Sequence, residues 1–246
     1  MKVSVITIAY NSAKTIGETI ESVNGQSYSE IEHILIDGKS SDETIKIFKN
    51  IAQRNAQWIS EKDEGIYDAM NKGLKLATGD VIGFLNSDDS FMHKDVIANI
   101  VSGFQDGADI VHGNLVFINE KGNVRRVWNS ESFQPSDFLK SNSPAHPTLY
   151  CKKSILISLK GFDVNFKIAG DIDFMIRAVL VNKPKLHFLN EYLVKMKLGG
   201  ASTRSLRSLF VITLEVWKSF EKNNISYSKK RYLIGKLKKA IKQTLL

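Results

Sequence analysis

The feature that most constrains this chain is an alternation, repeated over its first 105 residues, of short β-branched apolar runs with amphipathic segments of helical period. Such an alternation calls for a largely parallel sheet with helices packed on its faces, an α/β fold. Lys2–Ala9 is the first strand-like run, and Asn11-Ser12 offers a cap for a helix that puts Ile16, Ile20 and Val23 on one face. His33–Ile36 is the second, followed by Asp42, which can cap a helix carrying Ile45, Phe48, Ile51 and Ala52. Gln57–Ser60 is a short third strand. Glu64–Thr78 reads as a helix with Ala69, Met70, Gly73, Leu74 and Ala77 inward, closed by Gly79 in a left-handed conformation. Val81–Leu85 is a fully buried fourth strand that stops abruptly in Asn86-Ser87-Asp88-Asp89, ahead of a helix bearing Val96, Ile97, Ile100, Val101 and Phe104.

The second half is less regular. Asp109–Ile118 and Val124–Trp128 are apolar runs around Asn119-Glu120-Lys121-Gly122-Asn123, a hairpin pattern. Pro135, Pro144 and Pro147 mark a looped stretch, and Asp171–Val181 reads as a helix with Phe174, Ala178 and Val181 buried. No repeat, low-complexity linker or clean boundary precedes about Gly200. A chain of 246 residues accommodates one large α/β domain and a tail. No stretch approaches the roughly 18 consecutive apolar residues of a spanning helix. The amino terminus enters a strand without the charged and apolar regions of a signal peptide, and a lone Cys151 excludes an internal disulfide; both point to a cytoplasmic protein.

The net charge of +8 is unevenly placed, because from Lys195 onward thirteen basic residues stand against Glu215 and Glu221 alone, leaving the rest mildly acidic. Nucleic-acid binding is disfavoured, since its basic surface would line the working groove rather than a terminal segment. Tyr232, Leu233, Leu237, Ala240, Ile241 and Leu245 form an apolar stripe beside Lys229, Lys230, Lys236, Lys238, Lys239 and Lys242, which suits a helix in an anionic membrane interface through residues 228–246. The bland alternative is a helix packed on the domain or on another subunit.

Three acidic clusters can carry chemistry. Asp88 and Asp89 follow a buried strand at the sheet edge where open α/β sheets bind ligands. Adjacent carboxylates repel unless a cation neutralises them, and hard oxygen donors suit Mg²⁺ or Mn²⁺ shared with phosphate oxygens. Asp37, in Asp37-Gly38-Lys39-Ser40-Ser41-Asp42, follows the second strand at the same edge and can accept from a base or ribose hydroxyl, while Asp42 suits a cap. The turn Ala9-Tyr10-Asn11-Ser12 lacks a dinucleotide-type glycine cradle, which disfavours nicotinamide and flavin enzymes. In Ala169-Gly170-Asp171-Ile172-Asp173, Asp173 can pair with Arg177 four residues on, leaving Asp171 to face elsewhere, and His146 sits between two prolines in a loop suited to lining a pocket.

Together these segments resemble the family-2 glycosyltransferases over residues 3–203. The matching stretches are Val3–Asn11, Ile34–Thr44, Gly79–Asp89 and Gly170–Phe174, with Glu61–Gly73 and Leu198–Ser202 similar to transferases that build O-antigen, capsule or colanic-acid units. The resemblance implies a GT-A fold, with a nucleotide-binding half at about 1–105, an acceptor-binding half at about 106–203 and a basic helical tail at 204–246. It implies that Ala9, Tyr10, Asn11 and Asp37 hold the nucleotide of a sugar donor, by default a uridine diphosphate sugar. Asp63 and Asp68 lie near the ribose-diphosphate or the sugar. Asp89, with Asp88 beside it, holds Mn²⁺ or Mg²⁺, and Asp171 is the catalytic base of an inverting transfer to a glycan or undecaprenyl-linked acceptor. His146, Asp173 and Arg177 are candidates on the acceptor side. One departure is Gly170, where the family often has Glu before the Asp. The rival readings are a catalytically silent nucleotide-sugar-binding module and a nucleotidyltransferase using the same acids; the latter would want a Gly-rich basic loop after the first strand.

Overall fold

The computed structural model describes residues 1–53, 55–198 and 206–244, the side chains of residues 206 and 240–244 excepted. The four apolar runs become β1 (Val3–Ala9), β2 (Ile31–Asp37), β3 (Gln57–Ser60) and β4 (Val81–Phe84), connected by α1 (Ile16–Asn24), α2 (Thr44–Ile51) and α3 (Ile66–Leu76). They lie parallel in the order β3-β2-β1-β4. All of β1 but Ile8 and all of β2 but Ile31 are buried, as expected where helices cover both faces of a parallel sheet. The register aligns Ala9 with Asp37 and Asp37 with Ser60, so three strands end side by side at one edge.

Beyond β4 the sheet changes character. It continues through β8 (Tyr150–Lys152), β6 (Ile110–Ile118), β9 (Leu186–Lys197) and β5 (Asp89–Phe91), with β7 (Val124–Trp128) paired to β6. The β6–β9 pair is parallel and the other pairings here are antiparallel. The expected hairpin is β6–β7. The helices are α4 (Val96–Gln105), α5 (Lys153–Ser158), α6 (Gly170–Ile176), α7 (Leu206–Lys222) and α8 (Lys229–Thr244).

Three helix ends differ from the sequence reading. Asn11-Ser12 does not cap α1, whose N-cap is Thr15 with no side-chain cap bond. Helix α3 stops at Leu76, and Gly79 has no left-handed backbone; it is glycine because a Cβ would meet the Ser4 amide at 2.7 Å and the Lys2 carbonyl at 2.9 Å. The stretch expected as one helix to Val181 is α6 followed by a π-helical turn, Arg177–Val181.

One face of the sheet packs Ile6, Ile34, Ile36 and Ile82 against Tyr67 and Met70 of α3, Phe174 and Met175 of α6, and Val216, Phe220 and Tyr232 of the two last helices. The opposite face packs Val3, Val5, Val81 and Leu85 against α4 and β9. The tail is therefore built into the core. Phe220 and Tyr232 are buried, and each such side chain contributes about 1.5–3 kcal/mol. The expected boundary at 203/204 and the Gly199–Ser202 stretch lie outside the described residues.

Candidate active site

The donor edge is a set of turns that hold each other. Asp37 is fully buried, and its carboxylate accepts from the Ser40 amide (2.9 Å), Ser60 Oγ (2.6 Å) and Ser40 Oγ. In the structure this residue, expected as a ligand contact, braces the 38–42 turn from beneath, because the polar residues just after a strand end fold back onto it. Asn11, in the left-handed region at φ 49°, accepts from the Ser41 amide at 2.9 Å, and its own amide donates to Ser40 Oγ at 2.8 Å. Asp42, one residue before the N-cap Glu43, accepts from the amides of Ala13 and Thr44 and so ties the start of α2 to the first turn. What faces solvent is Tyr10, 67% exposed. A Cβ on Gly38 would lie 2.6 Å from Asp63 Oδ2 and 3.3 Å from Tyr10 Cδ2, so a glycine, an aromatic ring and a carboxylate meet here. Asp68 is otherwise engaged: it accepts from the Glu64 amide and pairs with Lys72 at 3.2 Å, stabilising the start of α3.

The acid pair separates into an inward and an outward member. Asp89 is 1% exposed and opens β5, while Asp88 is half-buried. Burial, and then the charge of Asp88, push the Asp89 carboxyl well above the usual range. Its Oδ2 accepts weakly from Asn86 Nδ2 at 3.3 Å, and its Oδ1 is buried with no hydrogen-bond partner. An orphaned buried carboxylate oxygen beside a second carboxylate is a donor set that a divalent cation would satisfy. Of the pair expected to hold the metal, Asp88 is the more exposed and Asp89 the buried one. Among the described residues there is no group of three or more His, Cys, Asp or Glu side chains that could hold a metal ion.

Asp171 stands at the start of α6 and is held from two sides. His146 Nδ1 lies 3.0 Å from its Oδ2. The Tyr67 hydroxyl donates to the Ile168 carbonyl at 2.6 Å and lies 3.4 Å from Asp171 Oδ1; burial, and then the Asp171 charge, raise its pKa. The preceding loop is fixed by Glu215 of α7, whose carboxylate accepts from the amides of Lys167, Ile168 and Ala169 at 2.7–3.0 Å. Gly170 has a local cause: a Cβ there would meet the Tyr67 ring at 2.7 Å, so no glutamate fits. Tyr67 and Glu215 were not singled out from the sequence. Tyr67 lies three residues before the inward Met70, a spacing that signals the same helix face.

Asp173 and Arg177, expected on the acceptor side, are structural. Asp173 is fully buried and accepts from Arg177 Nε (2.8 Å) and Ser219 Oγ (2.7 Å), and the guanidinium also donates to the carbonyls of Leu159 and Gly161. Cys151 is buried, and burial raises its thiol pKa.

A cavity of about 300 Å³ opens beside His146 and Asp171. Its walls include Trp128 of β7, Met175 of α6, Ile212 of α7 and Tyr232 of α8. The α8 stripe thus divides: Tyr232, Lys236 and Lys239 line this cavity, Leu233, Ile234 and Leu237 are exposed, and the Ala240, Ile241 and Leu245 side chains lie outside the described residues, as does that of Lys242.

This fold, with acids at the carboxyl ends of parallel strands and a carboxylate facing a second cavity, is that of the GT-A glycosyltransferases. The chain belongs to glycosyl transferase family 2, whose sequence profile matches residues 4–158. An uncharacterised glycosyltransferase of Mycobacterium tuberculosis is 35% identical over 184 residues, 74% of this chain and 70% of that protein. A PGL/p-HBAD biosynthesis glycosyltransferase of Mycobacterium bovis is 28% identical over 179 residues, 71% and 68% of the two chains. Of solved structures, S. aureus TarS 1-349 in complex with UDP-GlcNAc aligns with a TM-score of 0.72 at 22% identity, over 94% of this chain and 69% of that one. A Pyrobaculum calidifontis mannosyltransferase in complex with GDP-Man and Mn²⁺ aligns with a TM-score of 0.68 at 18% identity, over 95% and 68%.

Proposed function

We propose that this glycosyltransferase inverts configuration as it moves a sugar from a nucleoside diphosphate to a hydroxyl of a glycan or lipid-linked saccharide, in the assembly of a cell-surface polysaccharide. The observation that carries the reading is the continuity between the two sites. Asp63 meets Gly38 and Tyr10 at the donor edge, and Tyr67, in the first turn of the helix that follows, is beside Asp171. A sugar attached to a diphosphate at the first site therefore adjoins the carboxylate of the second. Relatives of the same fold solved with UDP-GlcNAc or GDP-Man support a nucleotide-sugar donor, with uridine and guanosine diphosphates the first to test.

In this mechanism Tyr10 stacks on the base, Gly38 allows it close approach to the backbone, and Asp63 accepts from the base or ribose. A divalent cation held by Asp88 and Asp89, with phosphate oxygens, would neutralise the charge that grows on the diphosphate leaving group. Asp171 takes the proton of the acceptor hydroxyl while that oxygen attacks the anomeric carbon on the face opposite the diphosphate, and the bond to the diphosphate oxygen breaks. His146 and Tyr67 orient the carboxylate.

No helix among the described residues is long and apolar enough to cross a membrane. The exposed Leu233, Ile234 and Leu237 of α8, with Phe210 and Leu214 of α7 and the exposed Lys229, Lys230, Arg231 and Lys238, support peripheral attachment to an anionic bilayer, on the cytoplasmic side.

The test is the melting temperature of the purified protein with UDP, GDP, CDP or dTDP, each with Mn²⁺, Mg²⁺ or chelator. A ligand at about 100 times its Kd stabilises the native state by about 2.7 kcal/mol, a readable shift. One nucleotide should stabilise the protein in a metal-dependent way. No shift with any combination at millimolar concentration would contradict the donor-site assignment.

A further inference from the structure

Helix α7 presents one polar stripe to the segment that carries Asp171. Glu215, Lys218, Ser219 and Lys222 are spaced as neighbours on one helix face, and each meets a part of residues 163–173. The Glu215 carboxylate accepts from the amides of Lys167 (2.7 Å), Ile168 (3.0 Å) and Ala169 (2.8 Å). Lys218 Nζ stands 5.4 Å from the centre of the Phe166 ring, Ser219 Oγ donates to Asp173 at 2.7 Å, and Lys222 pairs with Asp163. The segment is therefore docked along α7, with Asp171 inside the docked length. Lys218, Ser219 and Lys222 hold side chains; Glu215 holds main chain, and so it fixes how the peptide units turn.

The peptide unit between Ile168 and Ala169 is pinned at both ends. Its N–H donates to Glu215 Oε2, and its C=O accepts from the Tyr67 hydroxyl at 2.6 Å. A phenol has one proton to give. The Ile168 carbonyl takes it at 2.6 Å, so toward Asp171 Oδ1, 3.4 Å away, Tyr67 turns an oxygen rather than a hydrogen. His146 Nδ1 engages the other carboxylate oxygen, Oδ2, at 3.0 Å. Oδ1 is thus kept for a proton that comes from substrate. Without the three-amide clamp this peptide unit is free to rotate and its carbonyl can leave Tyr67. A hydroxyl already 3.4 Å from Oδ1 needs only a small movement, to about 2.8 Å, to donate there and compete with the acceptor.

We propose that Glu215 is a positioning residue for the base of the transferase reading above, on which this inference rests: by clamping the Ile168–Ala169 peptide it keeps the Tyr67 proton on a main-chain carbonyl and leaves Asp171 Oδ1 open to the acceptor hydroxyl. Residue 215 lies beyond the stretch that the family profile matches, so a tail helix supplies this part of the proton-transfer apparatus.

The test uses the full chain, with turnover read as nucleoside diphosphate release from UDP-GlcNAc or GDP-mannose in the presence of Mn²⁺. Glu215→Gln, which keeps the size of the side chain but turns a donor toward an amide, should lower kcat by at least about tenfold, the scale of a small misplacement at a reacting centre. Donor KM should change less than about twofold, and nucleotide stabilisation should match wild type. Because the effect runs through the tyrosine, Tyr67→Phe/Glu215→Gln should be no slower than Tyr67→Phe alone, whereas independent losses would multiply. A crystal structure of Glu215→Gln should place the Tyr67 hydroxyl about 2.8 Å from Asp171 Oδ1. Lys222→Met, which releases the same segment at Asp163 without touching Ile168, should lower stability and leave kcat within about twofold. If Glu215→Gln does not fold, Glu215→Asp, too short to reach all three amides, is measured in the same way. An unaltered kcat in a folded Glu215 variant overturns the proposal, as do multiplied losses in the double variant, a Lys222→Met protein as slow as Glu215→Gln, or a Tyr67 hydroxyl that stays on the Ile168 carbonyl. If wild type is stabilised by a nucleotide but cleaves neither donor, the crystal structure alone decides. A wild type that no nucleotide stabilises removes the transferase reading, and a Tyr67 hydroxyl that moves in Glu215→Gln would still leave the clamp standing.

Discussion

The donor edge and the Asp171 site are built by opposite means. The first is assembled from short turns after β1, β2 and β3, whose partners are close in the chain or in adjacent parallel strands: Asp37 with Ser40 and Ser60, Asn11 with Ser40 and Ser41, Asp42 with Ala13 and Thr44. The second is assembled from distant elements, with Tyr67 of α3, the His146 loop and Glu215 of α7 converging on the start of α6. The difference teaches that a local site can vary without disturbing the fold, whereas the second depends on the whole carboxyl-terminal half being in place, tail helices included.

That contrast can be broken in four places. The largest effect belongs to the base: Asp171→Asn should lower transfer, followed as nucleoside diphosphate release, by about 10²–10⁴-fold. Next is Asp37→Ala, which leaves the Ser40 amide and Ser60 Oγ without their acceptor; nucleotide affinity should fall by about tenfold or more, with the effect confined to the donor edge. Gly170→Ala acts on stability rather than affinity: its methyl group meets the Tyr67 ring at 2.7 Å, and overpacking of this kind costs about 1–3 kcal/mol, read in denaturant melts. The last effect is graded with pH and touches both halves. Burial lowers the pKa of His33 in β2 from 6.5 to about 4, and burial, then the charge of His187, do the same for His112 in β6. A histidine kept neutral in the folded state binds its proton more readily when unfolded, so stability should be full above pH 6.5 and decline as pH falls from 6.5 to about 4. Replacing both by Gln should flatten that slope, and an unchanged slope would assign it elsewhere.

The amino-terminal half was the more legible in sequence for the same reason that it is local. Strand and helix periods over residues 3–105 gave β1 to β4 and the helices between them, and the strand ends carried the acids. Which of Asp88 and Asp89 lies inward was not legible in the sequence: only in the structure does burial alternate from Phe84 to Ser90, putting Asp89 on the inward side with Leu85 and Ser87 and Asp88 on the outward side with Asn86. Asp173 was an acceptor-side candidate even though its spacing already offered the Arg177 pair that the structure contains; the Ser219 contact from α7 that completes its burial has no signal in the sequence. Glu215 was illegible, since nothing in its own segment announces three amides from a loop about 47 residues earlier. The tail read as an interfacial stripe because periodicity cannot say which neighbour covers a helix; Tyr232 and Lys239 turn inward and Leu233 and Leu237 outward.

The division of labour between the two sites is tested most directly by titrating the stabilising nucleotide, with Mn²⁺ and with chelator, into wild type, Asp88→Ala and Asp171→Asn. The account predicts that Asp171→Asn binds as wild type does, and that Asp88→Ala loses the metal-dependent part of the affinity. An Asp88→Ala protein with undiminished metal-dependent binding, or an Asp171→Asn protein that no longer binds nucleotide, would contradict it.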